Sequence, residues 1–153
     1  MTRVYADMVA DLFHHGHAEF LRQARALGDV LVVVIHSDEV VESYKRAPLM
    51  TMDERIRVVE ACRYVDEVIP DAPLAVTKDW IERHRLDLVV HGDDIDGEET
   101  ARMYETPAAM GILRTVPYTA GISTSELLRR LAQRLGQPES GVKSKPSAAD
   151  PAA

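Results

Sequence analysis

Six consecutive apolar residues, Val30 to Ile35, stand between Asp29 and His36 with no polar residue among them. A strand with one wet face alternates, and a globular helix runs longer than this. An unbroken β-rich run therefore predicts a strand buried on both faces. Such strands belong to parallel sheets covered by helices, which are joined by right-handed crossovers.

The rest of the chain fits that frame. Val4 to Met8 reads as a strand entering a helix with Phe20, Leu21, Ala24 and Leu27 on one face, closed by Gly28. Ser37 caps a short helix through Val40, Val41 and Tyr44, and Pro48 stops the basic loop that follows. Thr51 to Glu54 has the form of a capping box, opening a helix with Ile56, Val59 and Cys62 on its apolar face. Val65 to Ile69 and Leu86 to Val90 read as strands, with a helix between them capped by Thr77 and turning Trp80 and Ile81 inward. Ala101 to Met110 reads as a helix and Ile112 to Val116 as a strand. The last helix opens at Ser123 to Glu126, faces Leu127, Leu128, Leu131 and Leu135 inward, and ends at Gly136. Beyond it, residues 137–153 lack apolar periodicity and are rich in Pro, Ser and Ala, which predicts a disordered tail after a single domain over 1–136.

In a parallel α/β sheet, ligands sit beyond the carboxyl ends of the strands. That edge gathers Asp11 to His17, the stretch at His36 and Ser37, His91 to Asp94 and the loop after Val116. In His14-His15-Gly16-His17, two imidazoles flank a glycine where a helix begins. A helix N-terminus offers unpaired N–H groups and a positive dipole end, so the natural guest is a phosphate chain. The same pair also suits a helix cap, or half of a metal site, although no Cys or second His cluster supports zinc spacing.

Net charge is −7, which argues against a nucleic-acid partner and requires that any anionic ligand be held by a local basic pocket. Cys62 is the single cysteine, so there is no disulfide framework; its place reads as a helix position with a buried thiol. There is no signal-peptide pattern, and no apolar run approaches the roughly 18 residues of a membrane span. The expected location is the cytoplasm, with no membrane contact.

Taken together, RVYAD before DLFHHGH, SDEVVESYKRAP, MDER, CRYVDEVIPDAP, HGDDI and TAGISTSELLRR resemble the cytidylyltransferases of the H-x-G-H nucleotidyltransferase superfamily. The resemblance covers roughly residues 3–135 and is greatest to the enzymes acting on phosphoethanolamine and phosphocholine. It implies an α/β, Rossmann-like fold and the transfer of CMP from CTP to a small phosphorylated alcohol, with release of pyrophosphate. The cofactor it implies is Mg²⁺ arriving with CTP, bound by phosphate oxygens and water rather than by side chains. A homodimer is also implied. With no long amphipathic helix after the domain, membrane regulation is not expected.

Residue by residue, the resemblance makes His14, His17 and Lys45 catalytic. It places Asp11, Gly16, Asp94, Gly121, Ile122, Ser123, Thr124 and Ser125 around the nucleotide, and Arg63, Arg55 and Asp93 near the second substrate. Arg55 and Arg63, eight apart on a predicted helix, would lie about 80° apart around its axis; Arg55 also reads as an ion-pair residue holding that helix.

Two positions depart from the family. Met8 stands where a glycine precedes the L-F-H segment, and its side chain would crowd a ligand's approach unless it turns aside. Tyr118 stands where the family has an arginine that contacts phosphate. Arg114, about 13 Å upstream on an extended strand, is too far to replace it. Either Lys45 or Arg46 covers the loss, or nucleotide binding or base preference changes. Leu74 and the Asp96-Gly97 neighbourhood occupy the places of the aromatic residues that hold a quaternary ammonium in the phosphocholine enzymes. Asp93, Asp96, Glu98 and Glu99 are available to a primary ammonium, which favours phosphoethanolamine. The competing readings are an ATP-dependent adenylyltransferase and a catalytically silent homologue.

Overall fold

The computed structural model describes residues 1–94 and 97–136. Five parallel strands, β1 (Arg3–Met8), β2 (Val30–Ile35), β3 (Glu67–Pro70), β4 (Leu88–Gly92) and β5 (Leu113–Val116), form one sheet in the order β3-β2-β1-β4-β5. The chain winds outward from β1 to β3, then returns to lay β4 on the other side of β1. The switch point of this doubly wound sheet therefore lies between β1 and β4. Residues 95, 96 and the expected tail at 137–153 lie outside the described residues.

Leu31 to Ile35 are wholly buried, as an unbroken apolar run requires. At about 1.5–3 kcal/mol for each large apolar side chain buried, these residues anchor the fold. On one face, Val4, Ala6, Leu31, Val33 and Ile35 pack with Phe20, Leu21 and Ala24 of α1 (His15–Arg25) and Val59 of α3 (Met52–Glu60). On the other, Tyr5, Val34 and Val89 pack with Ile81 of α4 (Lys78–His84) and with Tyr104, which separates α5 (Glu98–Met103) from α6 (Glu105–Ala109). Two further helices, α2 (Asp38–Glu42) and α7 (Thr124–Arg134), complete the chain. Among the described residues, no helix is long and apolar enough to cross a membrane.

Several boundaries differ from expectation. The α1 helix stops at Arg25, so Leu27 turns out to solvent at 39% exposure. Gly28 is not a helix cap: a Cβ there would sit 2.5 Å from Val4 Cγ2 and 2.8 Å from the Thr2 carbonyl oxygen. The expected helix over 101–110 is broken at Tyr104 (φ −113°). Leu131 and Leu135 are 50% and 63% exposed rather than inward. Ser123 caps α7 as expected, but Glu126 turns to Arg129 and Arg130 instead of completing a capping box.

The end of α3 corrects two functional expectations. The helix ends at Glu60, so Cys62, half-buried, and Arg63 lie beyond it. Arg63 is exposed in the turn leading to the amino end of β3, at the edge of the sheet opposite His14. Arg55 and Arg63 therefore do not share a pocket. Arg55 is completely buried and donates through Nη1 to the carbonyls of Val9 (2.8 Å) and His36 (2.9 Å), and through Nη2 to Asp38. It pins α3 and α2 to the carboxyl ends of β1 and β2 and is not a substrate ligand.

Replacing Arg55 with Leu leaves two buried carbonyls without a donor, each costing roughly 1–3 kcal/mol. Thermal unfolding of Arg55→Leu is expected about 4–24 °C lower, from the roughly 2–4 °C per kcal/mol of a domain this size; a shift under 2 °C would contradict the pinning role.

Candidate active site

The N-terminus of α1 is capped by histidines on both sides. His14, the N-cap, accepts a hydrogen bond at Nδ1 from Gly16 N–H (3.1 Å), and Nδ1 of His17 accepts from His14 N–H (3.1 Å). Capping and function are the same arrangement here. An Nδ1 that accepts carries no proton, so in each neutral ring the proton is on Nε2. Both Nε2 atoms are buried, and the two ring centroids lie 3.9 Å apart. No acidic residue occupies the first turn of α1, leaving its positive dipole end for an external anion.

Gly16 is required by close approach. A Cβ there would lie 2.9 Å from His14 Cε1, 3.0 Å from His14 Nδ1 and 3.1 Å from Ile122 Cγ2. The segment Gly121 to Ser125 is thus packed directly against the histidine turn. Thr124, buried, donates its hydroxyl to the Asp11 carbonyl at 2.7 Å, tying the start of α7 to the turn that precedes His14.

That turn is strained. Ala10 (φ 60°) and Leu12 (φ 48°) both adopt the left-handed region, at roughly 1–2 kcal/mol each for residues bearing a Cβ. Between them, the buried Asp11 carboxylate accepts from Leu49 N–H (2.8 Å) and Met50 N–H (2.9 Å). Its carboxylate therefore holds the loop between α2 and α3. In that loop, Lys45 Nζ lies 5.4 Å from the centre of the Tyr44 ring, and Arg46 Nη1 donates to Ser125 Oγ at 3.0 Å. The structure brings together His14, His17, Gly16, Asp11, Ile122, Thr124, Ser125 and the loop of Lys45 and Arg46.

Asp93 and Asp94 close the β4 side. Asp93 Oδ1 accepts from Tyr118 N–H at 3.0 Å, which fixes the β5–α7 loop. The Asp94 side chain is 3% exposed, with Oδ1 4.0 Å from His91 Nδ1.

A sequence model of the cytidylyltransferase-like family matches residues 6–130. The chain belongs to this family. It is 44% identical over 133 residues to an ethanolamine-phosphate cytidylyltransferase of Dictyostelium discoideum, a match covering 84% of this chain and 37% of that protein. It is 39% identical over 136 residues to human choline-phosphate cytidylyltransferase A, covering 86% and 37% respectively. The chain thus spans little more than a third of the length of these curated relatives. Among solved structures, a lipopolysaccharide core biosynthesis protein of Thermoplasma volcanium superposes with a TM-score of 0.64 at 26% identity, over 78% of this chain and 99% of that one.

Within this cytidylyltransferase-like frame the two departures have structural answers. Met8 is 2% exposed and packs into the apolar cluster beneath α1. The Tyr118 hydroxyl donates to the Ile122 carbonyl at 3.3 Å, folding back over its own turn. Arg114 bonds the carbonyls of Gly111 and Leu113, away from that loop.

One cluster escaped the sequence reading. On the sheet face opposite α1, the buried Asp7 carboxylate accepts from Tyr104 OH (2.5 Å) and Tyr5 OH (3.1 Å), with His36 Nε2 at an ion-pair distance of 3.8 Å. His36 Nδ1 lies 3.0 Å from Tyr44 OH, linking this cluster to the loop of Lys45. Burial pushes the Asp7 carboxyl up, but His36, the charge of His91 and the Tyr104 hydroxyl outweigh it and leave it below its ordinary 3.8. The stabilisation this represents is in place above that ordinary value and is lost only as pH falls through the lowered one. Burial and the neighbouring Asp7 raise both tyrosines well above 10.0, so they remain donors. The signal for the cluster was Asp7, a polar residue inside an otherwise buried strand.

Long-range ¹H–¹⁵N spectra at neutral pH are expected to show His14 and His17 as Nε2–H tautomers. Gly16→Ala, which drives a methyl group into the His14 ring, is expected to perturb the His14 signals while the sheet's backbone shifts remain; Nδ1–H tautomers in the wild type would contradict the cap geometry.

Proposed function

We propose that the chain transfers CMP from CTP to phosphoethanolamine, giving CDP-ethanolamine and pyrophosphate. The observation that carries this reading is the double histidine cap at the N-terminus of α1, facing a serine- and threonine-bearing turn and a basic loop. Phosphoryl transfer asks a protein mainly to position its substrates and neutralise charge. An acceptor phosphate oxygen attacks the α-phosphorus, and the bond to the β-phosphate bridging oxygen breaks as pyrophosphate leaves with the electron pair. The Nε2–H groups of His14 and His17, with the α1 dipole, stabilise charge on the phosphates. Lys45 spans the two substrates. Ser123, Thr124, Ser125 and Gly121 line the nucleotide side, with Asp94 nearby.

Among the described residues, no three His, Cys, Asp or Glu side chains gather to hold a metal. A Mg²⁺ ion would come with the triphosphate, held by its oxygens and by water, and would add charge neutralisation there. The names of the relatives support CTP over ATP, and retention of His14, His17 and Lys45 argues against a silent homologue. The reading also carries a homodimer, which rests on the family resemblance, and a cytoplasmic location, which does not rest on it.

The acceptor's ammonium is assigned to Asp93, an exposed carboxylate at the carboxyl edge that accepts from Tyr118 N–H at Oδ1; Asp7 is enclosed, with both oxygens held by tyrosine hydroxyls. Glu98 is 90% exposed beside Arg102. Asp96 lies outside the described residues. Leu74, half-buried, offers no aromatic face for a quaternary ammonium.

Pyrophosphate release in Mg²⁺, crossing CTP and ATP with phosphoethanolamine, phosphocholine and glycerol 3-phosphate, tests the reading. Release is expected to require CTP and phosphoethanolamine and to fall by at least about 10²-fold in His17→Ala; release with ATP in place of CTP would overturn it. Asp93→Asn is expected to raise KM for phosphoethanolamine roughly 10- to 100-fold, the range for a charged hydrogen bond, with KM for CTP nearly unchanged. An unchanged acceptor KM would remove Asp93 from the acceptor site.

A further inference from the structure

Two unusual residues of this chain meet at one place. Tyr118 stands where the family resemblance leads one to expect an arginine, and its phenol is turned onto the Ile122 carbonyl. Arg46, from the loop between α2 and α3, reaches residues 79 positions away to donate from Nη1 to Ser125 Oγ at 3.0 Å, in the first turn of α7. That turn is joined to the histidine cap by Thr124 on the Asp11 carbonyl and by Ile122 against Gly16. Granting the reaction above, we propose that Arg46 is the nucleotide-phosphate clamp of this chain, bringing across the site, from the loop, the guanidinium that position 118 lacks.

The chemistry suits the place. A guanidinium is always charged and presents its donors as a fork that grips phosphate oxygens in pairs. A serine hydroxyl is a neutral acceptor that a phosphate oxygen readily replaces, after which Ser125 serves as a second ligand. The backbone just beyond Arg46 is fixed by the Asp11 carboxylate at Leu49 and Met50, so little ordering remains to be done on binding. The other arginines near this turn hold protein groups, Arg130 Nη2 donating to the Gly121 carbonyl at 3.3 Å. Arg129 and Arg130 engage Glu126, whose carboxyl they hold down at about 2, and Arg114 bonds the carbonyls of Gly111 and Leu113.

The test measures CTP binding by calorimetry without acceptor, and KM for CTP with phosphoethanolamine, in wild type, Arg46→Ala, Arg46→Lys and the double variant Arg46→Ala/Tyr118→Arg. Arg46→Ala is expected to weaken CTP roughly 10- to 100-fold, with Arg46→Lys recovering only part of that. The double variant is expected to return to within about threefold of wild type, because an arginine at 118 supplies the clamp without the loop contact. CTP affinity unchanged in Arg46→Ala would overturn the proposal. A loss that Tyr118→Arg does not rescue would also overturn it, reducing Arg46 to a loop fastening. If the wild type binds CTP but turns over no acceptor, the transfer reading fails while calorimetry still decides the clamp; a wild type that binds no CTP overturns both.

Discussion

One buried carboxylate holds the candidate site together. Asp11 sits between two residues in left-handed conformations, and both its oxygens are bound to the backbone of the loop between α2 and α3. Its own carbonyl accepts from Thr124 at the start of α7. Three segments distant in sequence are thereby fixed to the turn that delivers His14. The strain at Ala10 and Leu12 persists because these bonds over-determine the turn, a common arrangement at functional sites. Asp11 thus acts as a positioning residue rather than as a ligand of the nucleotide.

The histidine cap extends the same economy. Each imidazole spends Nδ1 on a backbone N–H, which satisfies the helix end and fixes the ring's tautomer together. Each ring then carries its N–H at Nε2, at the positive end of an 11-residue helix with no acid in its first turn. Gly16 lets the turn and Ile122 close over this pair. The sheet's switch point adds the opposite wall, where Asp7 is enclosed by two tyrosine hydroxyls and a histidine.

Much of this was legible in the sequence. The unbroken run at Val30 to Ile35 announced a buried parallel strand, and Ser37, Thr51, Thr77 and Ser123 each cap the helix they were expected to cap. The gathering of the histidine turn and the Ser123 segment followed from the carboxyl-edge rule. What failed depended on where helices end. The stop of α3 at Glu60 moved Arg63 to the wrong edge, and the stop of α1 at Arg25 exposed Leu27. The resemblance placed Arg55 near the second substrate, and it also read as an ion-pair residue holding its helix; the second reading holds, through Asp38, with two carbonyls brought near by the tertiary fold. Asp7 went unread because its partner Tyr104 lies 97 residues away.

The central claim is that the capped N-terminus of α1 receives the triphosphate through the two imidazoles. A crystal structure with CTP bound tests it most directly. The account predicts phosphate oxygens within hydrogen-bond distance of Nε2 of both His14 and His17, with the Gly121 to Ser125 turn on the nucleotide's other side. A nucleotide bound with its phosphates away from both imidazoles would contradict it.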